Sequence, residues 1–395
     1  MSTCKTDALV VGHFCLDIIP TFPDTGTPLA ELFVPGRLVE VGDAVVGTGG
    51  AANNTGLALH RLGFRTGIVA KVGNDIFGDA ALKLLRNAAP HLADNMIVSP
   101  ADGTSYSVVL NPPGVDRIFL HASAANDTFD ANDVPDSAFD GARHMHFGYP
   151  PLMRRFQMND GAEVRALFER ARARGLTTSL DMARPDPNGP SGKVDWIRFM
   201  ENVLPATDAF LPSMDEILFM LDRKRFDALQ EKAGDANPTA LLDIDTIRKT
   251  AERLIGMGAA IVGLKLGDQG FYLRTTSDPG RLARMDCLPP ANRDAWLDQE
   301  IATGCRKAKV AGTTGAGDCT IAGFLGALLK GMSADEAVSR AVAVGGASVE
   351  SRDATSGVPA WSAIEERLAA GWPGVPSAVI PDTWTETPEG NRKRA

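Results

Sequence analysis

Apolar and polar positions along this chain follow two alternating rhythms. Short apolar runs, "ALVVG" at 8–12 and "TGIVAKVG" at 66–73, are interleaved with stretches at 51–62 and 79–88 whose apolar residues recur every three or four positions. The alternation resumes with a helix over 163–174 closed by Gly175, then strands at "TTSLDM" (177–182) and "DAFLP" (208–212). A helix from about 245 to 255 and the runs "AAIVGLKLG" (259–267) and "GFYLR" (270–274) complete it. Strand and helix in turn predict an α/β fold with a mostly parallel sheet covered by helices.

Two stretches break the rhythm. Residues 18–46, and 104–121 with "SYSVVLNPPGVDRIFLH", carry β-like runs, the second pair flanking a Pro-Pro-Gly turn, and together predict a small accessory sheet. Segments 223–243 and 275–309 are polar, weakly periodic and interrupted by proline or glycine, as surface insertions are. The proline-rich, polar stretch 373–395 reads as a flexible tail, leaving 1–372 as the body of one domain.

Composition narrows the function classes. With 395 residues, 44% of them apolar, the chain can bury a sizeable core. A formal charge of -9 disfavours a broad nucleic-acid footprint or an anionic membrane surface, so a small-molecule partner fits better. Cysteines 4, 15, 287, 305 and 319 form no C-x-x-C pair, which argues against a disulfide framework or structural metal and for a reducing cytoplasm. No apolar run approaches a membrane span, and the opening "MSTCKTDALVVGHFCLD" reads as a buried strand rather than a signal peptide.

The chemistry concentrates in "GTTGAGDCTIAGFLGALLKG" (312–331). Ile321, Phe324, Leu325, Leu328 and Leu329 recur at helical spacing and Gly331 closes the pattern, so Gly315, Gly317 and Asp318 stand where a helix begins. A helix N-terminus presents N–H groups and a positive dipole end, and glycines let an anion approach the backbone. No lysine follows as a Walker A loop requires, so the ordinary P-loop mechanism is excluded. Asp318 taken alone reads equally as a helix cap. Further glycine clusters occur in "GTGGAANNTGLALHRLG" (47–63), "KVGNDIFGD" (71–79) and "GLKLGDQG" (263–270), and in open parallel sheets such turns converge at the carboxyl ends of strands to bind ligands.

From about residue 7 to 370 these pieces, in order, resemble the PfkB, or ribokinase-like, carbohydrate kinase family. The resemblance rests on "GHFCLD" (12–17), "GGAANN" (49–54), "VGNDIFG" (72–78), "AAN" (124–126), "PSMDE" (212–216), "KLGDQG" (265–270) and "TTGAGD" (313–318). It implies a ribokinase-like three-layer α/β/α fold with a small β-sheet lid over the sugar, ATP and Mg²⁺ as cofactors, and a homodimer joined through the lid. Asp318 matches the family's catalytic base, and Gly315, Ala316 and Gly317 its anion hole for the transferring phosphoryl group. Asp17, Gly49, Gly50 and Asn54 match the sugar side, with helix capping an equal reading for Asn54. Lys265, Gly267 and Thr313 match the nucleotide side, although a solvated strand-end lysine is as good a reading of Lys265.

Glu216 matches the glutamate that organises Mg²⁺ directly or through water. Two departures stand out: Ser213 replaces an asparagine beside it, and Gly312 stands where the signature often begins with aspartate, which leaves a monovalent cation open. Within the class, a nucleoside or phosphosugar kinase is the alternative, with Arg37, Arg117 and Arg184 as candidate phosphate contacts; outside it, a non-catalytic sugar or nucleotide binder. His144 and His146 share a strand face without a third ligand nearby and read as core histidines, and "SADE" (333–336) as a capping box.

Overall fold

A computed structural model describes residues 6–24, 29–32, 34–112, 118–234 and 236–394. Its centre is a ten-stranded sheet. Six neighbouring strands run parallel in the order Thr66–Val69, Ala8–Gly12, His144–Gly148, Thr177–Asp181, Ala209–Phe210 and Ile261–Lys265. Phe271–Thr275 and Glu300–Thr303 then continue it antiparallel.

Helices cover both faces, so the central strands must be apolar on both sides. In Ala8–Gly12 every residue is buried; Ala8 and Val10 enter one core with the Ala316–Leu329 and Ala334–Ser348 helices, while Leu9 and Val11 enter a second core. That second core takes in residues of the helices Ala162–Arg172, Trp196–Val203 and Ile244–Gly256. The three-layer arrangement expected from the alternation is therefore present, and the predicted helix at 163–174 closes at Gly175 in a left-handed conformation, φ 80.

The accessory sheet is a separate four-stranded one, in the order Ala44–Gly49, Cys15–Pro20, Tyr106–Leu110 and Ile118–Ala122. Its first strand in the chain begins at Cys15, earlier than the predicted start at 18, so Asp17 belongs to the lid rather than to the loop before it. Asp17 pairs with Ser107, and Ser107 with His121, which sets these three side by side across one face. Asn126, in the "AAN" element, anchors the lid's return: it accepts from the Phe14 N–H at 3.3 Å and donates to the Phe14 carbonyl at 3.0 Å. Cys4, Arg117 and the glycine of the Pro-Pro-Gly turn lie outside the described residues.

Two expectations are corrected, and the surface character expected of 223–243 is kept by a helix. The segment 275–309 is not merely a surface insertion, because it supplies the Glu300–Thr303 strand and the fully buried Trp296. Segment 223–243 holds the Arg223–Ala233 helix, whose single buried residue Phe226 explains its weak periodicity. The chain end is not a loose tail: Arg392–Lys393 pairs with Glu300–Thr303, and Thr385–Glu386 pairs with Arg392–Lys393. Val379, Trp384 and Asn391 are buried there, so the segment covers a sheet edge that would otherwise leave its hydrogen-bonding groups open.

Candidate active site

The turn ahead of the Ala316–Leu329 helix places Gly315 at φ 69, and this residue is the helix cap. A Cβ on Gly315 would come within 2.6 Å of the Ala354 Cβ, so glycine is required by the fold as well as by conformation. Asp318 is consequently not the cap. It lies inside the first turn, buried, with Oδ2 accepting from Asn54 Nδ2 at 2.9 Å and Oδ1 from the Tyr149 hydroxyl at 2.9 Å.

Burial pushes the Asp318 carboxyl above its ordinary range, against the pull of the Lys265 ammonium and of the two hydrogen bonds. The Tyr149 phenol is pushed much further up by burial and by the Asp318 charge, which keeps it a donor. Tyr149 holds a left-handed backbone, φ 68, a strained conformation for a bulky residue and a frequent companion of functional positions. Asn54 does not cap its helix Ala51–Arg61 either; it lies in the first turn and its amide is committed to Asp318.

Lys265 is a buried ion-pair partner rather than a solvated strand end. Its Nζ donates to Asp181 Oδ1 at 2.7 Å, and a Cβ on Gly317 would lie 3.6 Å from the same nitrogen, so the ammonium stands over the first helical turn. Burial opposes the lysine's charge, but the Asp181 and Glu216 carboxylates outweigh it and hold the ammonium more firmly protonated than usual. Burial raises Asp181 to about 6 despite Lys265. Glu216, half-buried in the first turn of the Met214–Leu221 helix, accepts from the Ser213 N–H at 2.8 Å; its carboxyl is pushed well up by burial. Ser213 in turn bridges to Lys265 in parallel register.

A cleft of about 530 Å³ opens beside this group, lined among others by Lys265, Gly267, Thr313, Ala316, Gly317 and Gly345. On the other side stand the lid residues. A Cβ on Gly49 would come 2.2 Å from Asp17 Oδ2, and one on Gly50, at φ 90, 2.5 Å from the His13 carbonyl. The His13 ring lies 6.1 Å from that of Tyr149, which connects the Asp17 side to Asp318. These contacts bring Asn54, Glu216, Lys265, Gly315, Ala316, Gly317 and Asp318 into one region, with Asp17, Gly49 and Gly50 adjoining it through His13. Arg37 instead lines a separate cavity with Leu38 and Glu40, away from this group.

This arrangement, with glycine turns, a buried carboxylate, an open cleft and a separate small sheet gathered at the carboxyl ends of the parallel strands, agrees with the comparison to known families. Residues 5–361 match the pfkB family carbohydrate kinases. The chain belongs to this family. PfkB kinases are phosphotransferases with an alcohol group as acceptor. A 2-dehydro-3-deoxygluconokinase of Bacillus subtilis is 25% identical over 340 residues, 85% of this chain and 90% of that protein. Among solved structures, a putative ribokinase II of E. coli in complex with ATP and Mg²⁺ superposes with a TM-score of 0.65 at 20% identity, covering 92% of this chain and 99% of that one. A ribokinase of Arabidopsis thaliana complexed with ribose and ATP gives 0.64 at 18% identity, covering 91% and 98%. These likenesses establish the ribokinase-like α/β fold.

Sequence reasoning missed four residues of this PfkB kinase: His13, His121, Tyr149 and Asp181. His13, Tyr149, Asp181, Ser213 and Lys265 stand at or just past the carboxyl ends of five neighbouring parallel strands. Applying that rule to every predicted strand would have found Asp181 at the end of "TTSLD". His144 and His146 bond the same Ser179 Oγ at 2.7 and 2.8 Å and are buried in the sheet. Among the described residues no helix is long and apolar enough to cross a membrane.

Proposed function

We propose that the protein transfers the γ-phosphoryl group of ATP to a hydroxymethyl group of a sugar or sugar acid, with Asp318 as general base. The observation that carries this reading is the Asp318 carboxylate: buried, raised in basicity, and held by Asn54 from the lid-side helix and by Tyr149 at a strand end. Neither donor is a helix amide, so the carboxylate is oriented for something other than capping. It accepts the proton of the attacking hydroxyl, a contribution of about 10² to 10⁴-fold.

The Ala316 N–H donates to the Thr313 carbonyl at 3.3 Å, whereas the first-turn amides of Gly317 and Asp318 have no carbonyl one turn earlier in the helix and, with the Lys265 ammonium above them, offset charge on the transferring group. Asp181 positions Lys265. The cleft fits a nucleotide, because Gly267, Gly317 and Gly345 leave room along a wall otherwise lined by side chains such as Val310, Val342 and Val349. The carboxylates of Glu216 and Asp181 supply the hard oxygen donors that Mg²⁺ prefers and would hold it directly or through water. When bound, Mg²⁺ neutralises phosphate charge as the group transfers. At Gly312 a Cβ would meet the Arg352 carbonyl at 2.8 Å, so an aspartate does not fit there without a shift.

Asp17, with Gly49 against its carboxylate, takes acceptor hydroxyls under the lid, which excludes water from the reaction. The lid also exposes Val41, Val45, Val46, Phe119 and Leu120, an apolar surface suited to a second copy of the chain, and light scattering on the eluted protein tests for that dimer. The enzymatic reading is tested by ADP release across a panel of sugars, sugar phosphates, nucleosides and 2-dehydro-3-deoxygluconate, comparing wild type with Asp318→Asn. Binding without turnover by the wild type would refute it.

A further inference from the structure

Three ligand-type side chains meet between lid and body. His13 follows the Ala8–Gly12 strand of the body, Cys15 opens the first lid strand, and His121 lies on the Ile118–Ala122 lid strand. Their ligating atoms all lie within 4.8 Å of one another. His13 Nε2 and His121 Nε2 are 3.3 Å apart. That is long for a hydrogen bond, whose usual N–H···O range is about 2.7–3.2 Å. It matches the separation of about 3.3 Å that two Zn–N bonds of about 2.0–2.1 Å subtend at a tetrahedral ion.

The second layer agrees. His121 Nδ1 meets Ser107 Oγ at 3.0 Å, which fixes the ring and leaves Nε2 aimed at His13, the orientation outer hydrogen bonds give to metal-binding histidines. The Ser107 hydroxyl also touches Cys15 Sγ at 3.8 Å. His13 and Cys15 are each 3% exposed, while His121 is reached from solvent, so an ion has an entry side and an enclosed seat.

We propose that His13, Cys15 and His121 form a binding site for a thiophilic divalent metal of the Zn²⁺ class, which ties the lid to the body. Two imidazoles and a thiolate with a fourth position open to water suit Zn²⁺ and Co²⁺ and discriminate against Mg²⁺, which requires oxygen donors. In the free protein burial and the Asp17 charge keep Cys15 a thiol. As the metal–sulfur bond forms, the S–H bond breaks and its proton passes to solvent, with no redox change. Asp17 is adjacent, with Cys15 Sγ 3.3 Å from its Oδ1, so a bound ion competes with the acceptor for the lidded pocket, a consequence that rests on the function proposed above.

The test is titration of the full-length protein with Co²⁺ in excess Mg²⁺. One equivalent should bring a thiolate-to-cobalt charge-transfer band together with visible d–d bands, and Cys15→Ser should lose the first while His121→Ala weakens or abolishes both. Zn²⁺ should displace the cobalt and slow hydrogen exchange in residues 118–122 of the wild type but not of Cys15→Ser. No charge-transfer band in the wild type, or an unchanged one in His121→Ala with native circular dichroism, would overturn the site. These readouts do not need turnover, so they stand apart from the kinase assay. In that assay, Zn²⁺ inhibition equal in wild type and Cys15→Ser would overturn the competition with acceptor.

Discussion

Gly317 offers the sharpest separation of catalysis from stability. It is the second residue of the Ala316–Leu329 helix, its φ is not positive, and a Cβ there would meet Lys265 Cδ at 3.5 Å and Nζ at 3.6 Å, both ordinary contacts. Gly317→Ala therefore fits the folded chain. Replacing a helical glycine by alanine stabilises by about 0.5–1 kcal/mol. Unfolding entropy of about 2.1 cal/mol/K per residue amounts to roughly 0.8 kcal/mol/K here, so Tm should rise by about 1 °C. The same methyl group projects toward Lys265 Nζ, into the space between the ammonium and the first helical turn where a phosphoryl oxygen is proposed to bind, so it should crowd that oxygen off the Gly317 amide. Losing one such donor costs about 10² to 10³-fold in kcat, or roughly 2.7–4 kcal/mol. The assay pairs ADP release with scanning fluorimetry, and Gly317→Val should abolish turnover altogether. Gly315→Ala is the contrast: at φ 69, with Ala354 Cβ at 2.6 Å, it should lose stability as well as activity. A Gly317→Ala enzyme with wild-type kcat would refute the anion-hole assignment.

Other outcomes follow from the same geometry. Asp318→Asn should lower kcat by about 10² to 10⁴-fold with nucleotide affinity retained in calorimetry; the amide can accept from only one of Asn54 and Tyr149, so about 1–3 kcal/mol of stability should go with it. The base must be ionised, so the rate falls as pH drops through the raised Asp318 pKa. Tyr149→Phe removes a hydrogen bond that lowers that pKa, so the acid limb of the pH–kcat profile should move to higher pH. A shift to lower pH would contradict the assignment. Lys265→Met leaves Asp181 buried without its partner and should cost about 3–5 kcal/mol, measured by denaturant unfolding, with Asp181→Asn restoring much of the loss.

The fold was legible wherever burial on both faces writes a continuous apolar run. "ALVVG" is the observed Ala8–Gly12 strand, and the predicted 51–62 helix is Ala51–Arg61. Legibility failed where an element is buried through few residues. Glu300–Thr303 is a four-residue strand whose first member, Glu300, is tied up by Arg248 at 2.7 Å and the Tyr272 hydroxyl at 2.9 Å, so its sequence reads as polar. The chain end reads as a tail because Thr385–Glu386 and Arg392–Lys393 are exposed or half-exposed pairs whose strand character comes from the edge they cover. Only the partner strand carries that information.

The site divides along the same line. Glycines and Asp318 were readable because a turn that tolerates no side chain leaves a compositional mark. Tyr149 and Asp181 leave none: one is an aromatic beside two prolines, the other a polar residue closing a strand, and each acquires meaning only when parallel neighbours bring it to Asp318 or Lys265. The physical link is the sheet itself. Successive parallel strands end at one edge and place single polar groups a strand spacing of about 4.8 Å apart. A lysine on one strand then reaches an aspartate two strands away, and a tyrosine on the next strand reaches a helix start. Moving any one of these by a residue along its strand would turn it into the opposite face, so register, more than residue identity, specifies the site.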